Sequence, residues 1–117
     1  MNEQIQAFEI MLRDLGPASA YQHLTGRPDW ANKLSMMIPE HMQQGWVRWA
    51  AYGPRSQPGG FIQSVVNDSL FDAFARADIV NAQRMEDTVR FLFNYAPAVM
   101  HDGENWKGLL SAHLDDD

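Results

Sequence analysis

Apolar residues recur along this chain at intervals of three and four. Ile5, Phe8, Leu12 and Leu15 keep that spacing, with Met11 beside them. Such a period puts them on one face of a helix, which Gly16-Pro17 then stops. Trp30, Leu34 and Met37 resume it after Pro28-Asp29, a natural first turn. Met42, Trp46 and Trp49 form a third stripe, entered through Pro39-Glu40 and closed at Gly53-Pro54. Phe61, Ile62, Val65 and Val66 open a fourth directly after Pro58-Gly59-Gly60.

Asp68 and Ser69 then interrupt the pattern. Both residue types cap helices, and Ser69-Leu70-Phe71-Asp72 has the form of a capping box with Asp in the Glu place. A kink or a new helix start is expected there, followed by Leu70, Ala73, Phe74 and Ala77. Asp78 reads as the next cap. The stripe behind it is Ala82, Met85, Val89, Leu92, Phe93 and Ala96, an unbroken helix of about four turns ending at Pro97. Trp106, Leu109, Leu110 and His113 indicate a short last helix. No segment alternates with period two. The expected fold is all-α, a compact bundle of five to seven short helices. Its core is expected to include Phe8, Leu12, Trp46, Trp49, Val65, Leu70, Phe74, Val89 and Leu92.

Two stretches, residues 16–29 and 53–60, are dense in Gly and Pro and punctuate helices. Neither is long enough to link domains, so residues 1–117 read as one domain of 117 residues. Hydrophobic residues at 45% and charged residues at 21% exclude a disordered chain. The net charge of −6 argues against a duplex nucleic acid partner, whose phosphates need Lys and Arg. Much of that charge is terminal: after residue 97, Lys107 faces five acids, three of them in the tail 115–117, expected to be a frayed, solvated end. Cysteine is absent, so no disulfide, thiolate nucleophile or Cys-based zinc site is available. No apolar run is long enough to span a membrane, and Met-Asn-Glu-Gln lacks the basic start of a secretory signal. A cytoplasmic protein is the expectation.

Catalytic chemistry finds little purchase. His23, His41, His101 and His113 form no His-x-x-x-His or His-Glu-x-x-His pair, so no metal site and no cofactor are expected. Ser64 and Ser69 lie in helical or capping positions, without the Gly-x-Ser-x-Gly elbow of a nucleophile. No catalytic residue is assigned, and the chain reads as a non-enzyme.

Two groups of residues are candidates for binding. A Gly-Gly pair opening a helix exposes unpaired backbone N–H groups at a positive dipole end. Gly59 and Gly60 could therefore receive a phosphorylated or nucleotide small molecule, with Arg55 closing from the same loop and His41 and Arg48 from the preceding helix. The plainer alternative is a turn with a solvated arginine. Arg76, Asp78 and Asn81 read as a capped corner between helices. Trp46 and Trp49 are expected in the core. Trp30, Met36 and Met37 are candidates for an apolar surface that meets a protein partner or a second copy in a homodimer.

The order of motifs through the middle of the chain is distinctive. Ile38-Pro39-Glu40-His41-Met42, Gly45, Trp49 and Gly53 precede Pro58-Gly59-Gly60-Phe61. Val65, Asp68, Leu70, Ala73, Arg76-Ala77-Asp78, Asn81 and Asn94-Tyr95-Ala96-Pro97 follow. Over residues 38–97, about half the chain, this resembles a family of small proteins encoded by phages and prophages of Gram-negative bacteria. The chain departs from that pattern in a longer loop through Arg55-Ser56-Gln57. It also has Met100-His101-Asp102-Gly103-Glu104 where the family has Cys-Trp-Gly-Ser-Pro. The resemblance brings no established activity. It implies a phage or prophage setting, in which small acidic proteins act by binding a host protein, as counter-defence or host-takeover factors. A structural or assembly accessory role is the alternative in that setting.

Overall fold

Each Gly/Pro break of the sequence ends one helix and begins another. The computed structural model describes residues 2–67, 69–97, 100, 102, 103 and 105–114, apart from the side chains of Leu70, Phe71 and Phe74. In chain order the helices are α1 (Glu3–Asp14), α2 (Pro17–Thr25), α3 (Pro28–Met37) and α4 (Glu40–Tyr52). A 3₁₀ turn (Gly53–Ser56) leads to α5 (Gly60–Val66), α6 (Leu70–Arg76), α7 (Ile79–Gln83), α8 (Met85–Asn94) and α9 (Ser111–Leu114). No strand occurs among the described residues. The fold is all-α, and its radius of gyration of 13.5 Å is that of a folded globule of this length.

Helix α2 occupies a stretch that the sequence marks only as a break. Pro17 sits in its first turn, where a missing N–H costs nothing, and Gly26 ends it in the left-handed conformation at φ 68°. Between these signals α2 is too short for a clear stripe, yet it buries Ala20 and Tyr21. The Tyr21 hydroxyl donates to the carbonyl of Tyr95 at 2.7 Å, and its ring centroid lies 5.7 Å from Phe91 and 6.5 Å from Trp30. One residue thus ties α2 to α3 and to the end of α8.

Helix α4 carries the centre of the core. It buries Trp46, Val47, Trp49, Ala50, Ala51 and Tyr52, and Phe8 of α1 meets Tyr52 edge-on at 5.5 Å. Glu9 adds a polar staple between α1 and α4. Arg48 donates to its two oxygens at 2.9 and 3.0 Å, and the Tyr52 hydroxyl donates at 2.6 Å. Burial pushes the Glu9 carboxyl up, and these hydrogen bonds outweigh it, so the group titrates below its ordinary value.

The last carbonyls of α4 would be orphans without the C-terminal segment. The N–H groups of Leu109 and Leu110 donate to Ala50 and Ala51 at 2.8 and 2.9 Å. Gly108, at φ 101°, lies flat on this helix end, and a Cβ there would collide with the Ala51 carbonyl.

Expected core positions Phe8, Leu12, Trp46, Trp49, Val65 and Leu92 are buried. Val89 is a correction, for it is only half-buried. The continuous helix after Asp78 is a second correction: the chain breaks at Arg84 into α7 and α8. The buried face of α8 is also turned from the expected stripe, toward Thr88 and Phe91. Met85, Thr88, Phe91 and Leu92 share one arc of α8 and point inward. Val89 lies at the edge of that arc, and Phe93 falls outside it, 67% exposed. Ala82 is exposed as well. Leu70 and Phe74 as core residues, the cap at Asp68 and the tail 115–117 lie outside what is described.

Candidate functional site

Ile38 ends α3 buried and Pro39 starts α4, so the chain turns a corner in which Met36 is left outside. Helix α7 packs near this corner. Asp78 begins α7 in the expected way: its Oδ1 accepts from the N–H of Asn81 at 2.7 Å. Its Oδ2 lies 2.8 Å from Nε2 of His41 on α4. An ionised carboxylate only accepts, so Nε2 carries the proton. The Asn81 N–H first, and His41 second, hold the Asp78 carboxyl below the usual carboxylate range. Asn81 itself is buried beneath α7.

Arg84 closes the corner from the other side. Its guanidinium donates to the carbonyl of Met36 at 2.7 Å and lies 3.5 Å from Asp87. Between these fixed points runs an open groove of about 550 Å³, lined by Pro39, Glu40, His41, Val80 and Arg84. Its surroundings are unusually apolar for solvent-facing surface. Ile79 is 76% exposed, Met36 67% and Val80 45%. Helix α7 is too short to bury two faces, and Asn81 takes its inner one. Ile79 and Val80 are left outward.

The candidate ligand residues are dispersed. Arg48 is held by Glu9, and His41 by Asp78. Gly60 starts α5, where a Cβ would lie 2.8 Å from Nη1 of Arg76, and Gly59 has open space around its Cα. Arg55 is exposed in the 3₁₀ turn. His41 and Arg48 are therefore engaged with α7 and α1, and the glycine pair is approached by Arg76, which the spacing had placed in a capped corner. The candidate partner residues separate too. Trp30 and Met37 are half-buried against the core, and Arg27 lies over the Trp30 ring at 4.6 Å. Met36 alone of the three stands in solvent.

Pro39, Glu40, Ile79, Val80 and Arg84 enter the site without having been candidates for binding. One signal was present: Val80 is β-branched and falls off the three-and-four stripe that runs through Ala82 and Met85. Among the described residues no three His, Asp or Glu side chains gather as metal ligands. No helix there is long and apolar enough to cross a membrane. No family model, curated protein or solved structure matches the chain.

Proposed function

We propose that this chain is a non-enzymatic binding protein whose working surface is the groove between the α3–α4 corner and α7. The observation that carries the reading is an open groove with exposed Val80 in its lining, and exposed Met36 and Ile79 on the segments that bound it. Exposed apolar side chains beside an open groove with a polar margin are a mark of a protein-docking surface. The motif order of residues 38–97 supports a phage or prophage setting in a bacterial cytoplasm. The partner is then a host protein, and its blockade serves counter-defence or host takeover. The dispersal of His41 and Arg48 leaves the small-anion reading with the 53–61 loop alone.

Affinity capture from a Gram-negative host lysate tests this. The tagged chain should enrich a host protein, and Ile79→Lys should lose it while melting at the same temperature. Equal capture by both chains would sink the reading. Sedimentation of the two separates the remaining occupant, a second copy: a dimer lost on Ile79→Lys would assign the surface to self-association.

A further inference from the structure

The groove's charges cancel in pairs, with one exception. Asp78 neutralises His41 when that ring is protonated, and Asp87 accompanies Arg84. Glu40 lines the same groove and has no ion-pair or side-chain hydrogen-bond partner among the described residues. It stands exposed at the first position of α4. The apolar lining, Pro39 and Val80, lies beside it, with Met36 and Ile79 near the margin.

We propose that the groove takes a partner segment that presents an apolar side chain together with a lysine or arginine, the cation seated on Glu40. This rests on the docking reading above and names the partner's chemistry. Any segment that seats on Val80 in this groove also removes water from Glu40. Desolvating a carboxylate is costly unless a cation replaces the water. A wholly apolar segment would leave that charge unpaired, and an acidic one would add repulsion. A basic amphipathic segment satisfies both halves of the groove. The groove is open along its length, which suits a segment laid across it better than a small molecule that must be enclosed.

The test uses the full chain, labelled with ¹⁵N, and two synthetic helical peptides. One is built from leucine and lysine; the other has glutamate at every lysine position. The leucine–lysine peptide should shift the amide signals of Glu40, Ile79 and Val80, with the acidic peptide at least about tenfold weaker. Glu40→Lys should remove or reverse that preference. Glu3→Lys, the same change of net charge on exposed α1, should not. A preference that survives Glu40→Lys, or that Glu3→Lys abolishes equally, overturns the proposal, because overall charge then explains it. Both peptides shifting the groove signals with equal affinity, and losing it in Ile79→Lys, overturns the charge assignment and leaves the docking reading standing. Neither peptide shifting those signals overturns the proposal, and unchanged host capture by Ile79→Lys would overturn the reading beneath it.

Discussion

The indole N–H of Trp106 donates to the main-chain carbonyl of Trp49 at 2.8 Å, and both rings are buried. Trp49 sends its own indole N–H to the carbonyl of Met100 at 2.7 Å. The two tryptophans thereby lock the C-terminal segment across the end of α4. Trp106→Phe keeps most of the apolar area and loses one hydrogen bond, so it should cost about 0.5–1.5 kcal/mol. Trp106→Ala also opens a cavity and should cost about 3–5 kcal/mol. Urea denaturation of the two variants checks the ratio. Equal losses would mean that the hydrogen bond, not the ring, holds the segment.

Two glycines should respond very differently to alanine. Gly108 combines φ 101° with main chain of Ala51 where a Cβ would go. Backbone cannot step aside as a side chain can, so Gly108→Ala should cost about 2 kcal/mol or more. Gly60 has ordinary helical φ, and its Cβ would meet only the far end of exposed Arg76. Alanine in a helix gains about 0.8–1 kcal/mol over glycine, which offsets moving that arginine. Gly60→Ala should therefore stay within about 1 kcal/mol of the parent. Thermal melts compare them directly.

Neighbours on α8 should separate just as sharply. Leu92 is 2% exposed and Phe93 67%. Leu92→Ala should cost about 2–5 kcal/mol. Phe93→Ser should cost far less, about 1 kcal/mol or below, since a ring two-thirds exposed has little buried area to lose. Similar losses for both in chemical denaturation would reverse the phase of the helix described above.

The spacing of Phe8 with Leu12, and of Trp46 with Trp49, was enough to read their helices and inner faces. Those helices are long, amphipathic and bounded by Gly or Pro. The sequence was less legible where an element is short. Helix α2 has too few residues to display a period, and α7 has only five. The break at Arg84 has no Gly or Pro to announce it, and the contact Arg84 makes there, to the carbonyl of Met36, is 48 residues away in the chain. Within α8 the buried face takes in Thr88 instead of Val89 and Phe93, and a threonine gives no apolar signal to read. The groove was illegible for a different reason. Its residues come from two segments that meet only after folding, and nothing in the spacing pairs His41 with Asp78.

That pairing gives the groove a sensitivity to acid. Asp78 titrates below an unfolded Asp, so its contribution to stability is fully present above the unfolded value, near pH 4. It is lost as pH falls through the lower folded value, when the carboxyl protonates and releases the His41 N–H. Glu9 has the same sign, and its release would loosen α1 from α4. The two can be separated. Asp78→Asn keeps a capping side chain for α7 but removes the charge that faces His41. Glu9→Gln removes the charge that faces Arg48. Each variant should melt lower than the parent at pH 7 and should approach it as pH falls below about 4. Chemical shifts of Ile79 and Val80 report on α7. They should move on acidification of the parent and of Glu9→Gln, and far less in Asp78→Asn. A variant whose deficit against the parent stays constant down through this range would show that its carboxylate is not the group that titrates.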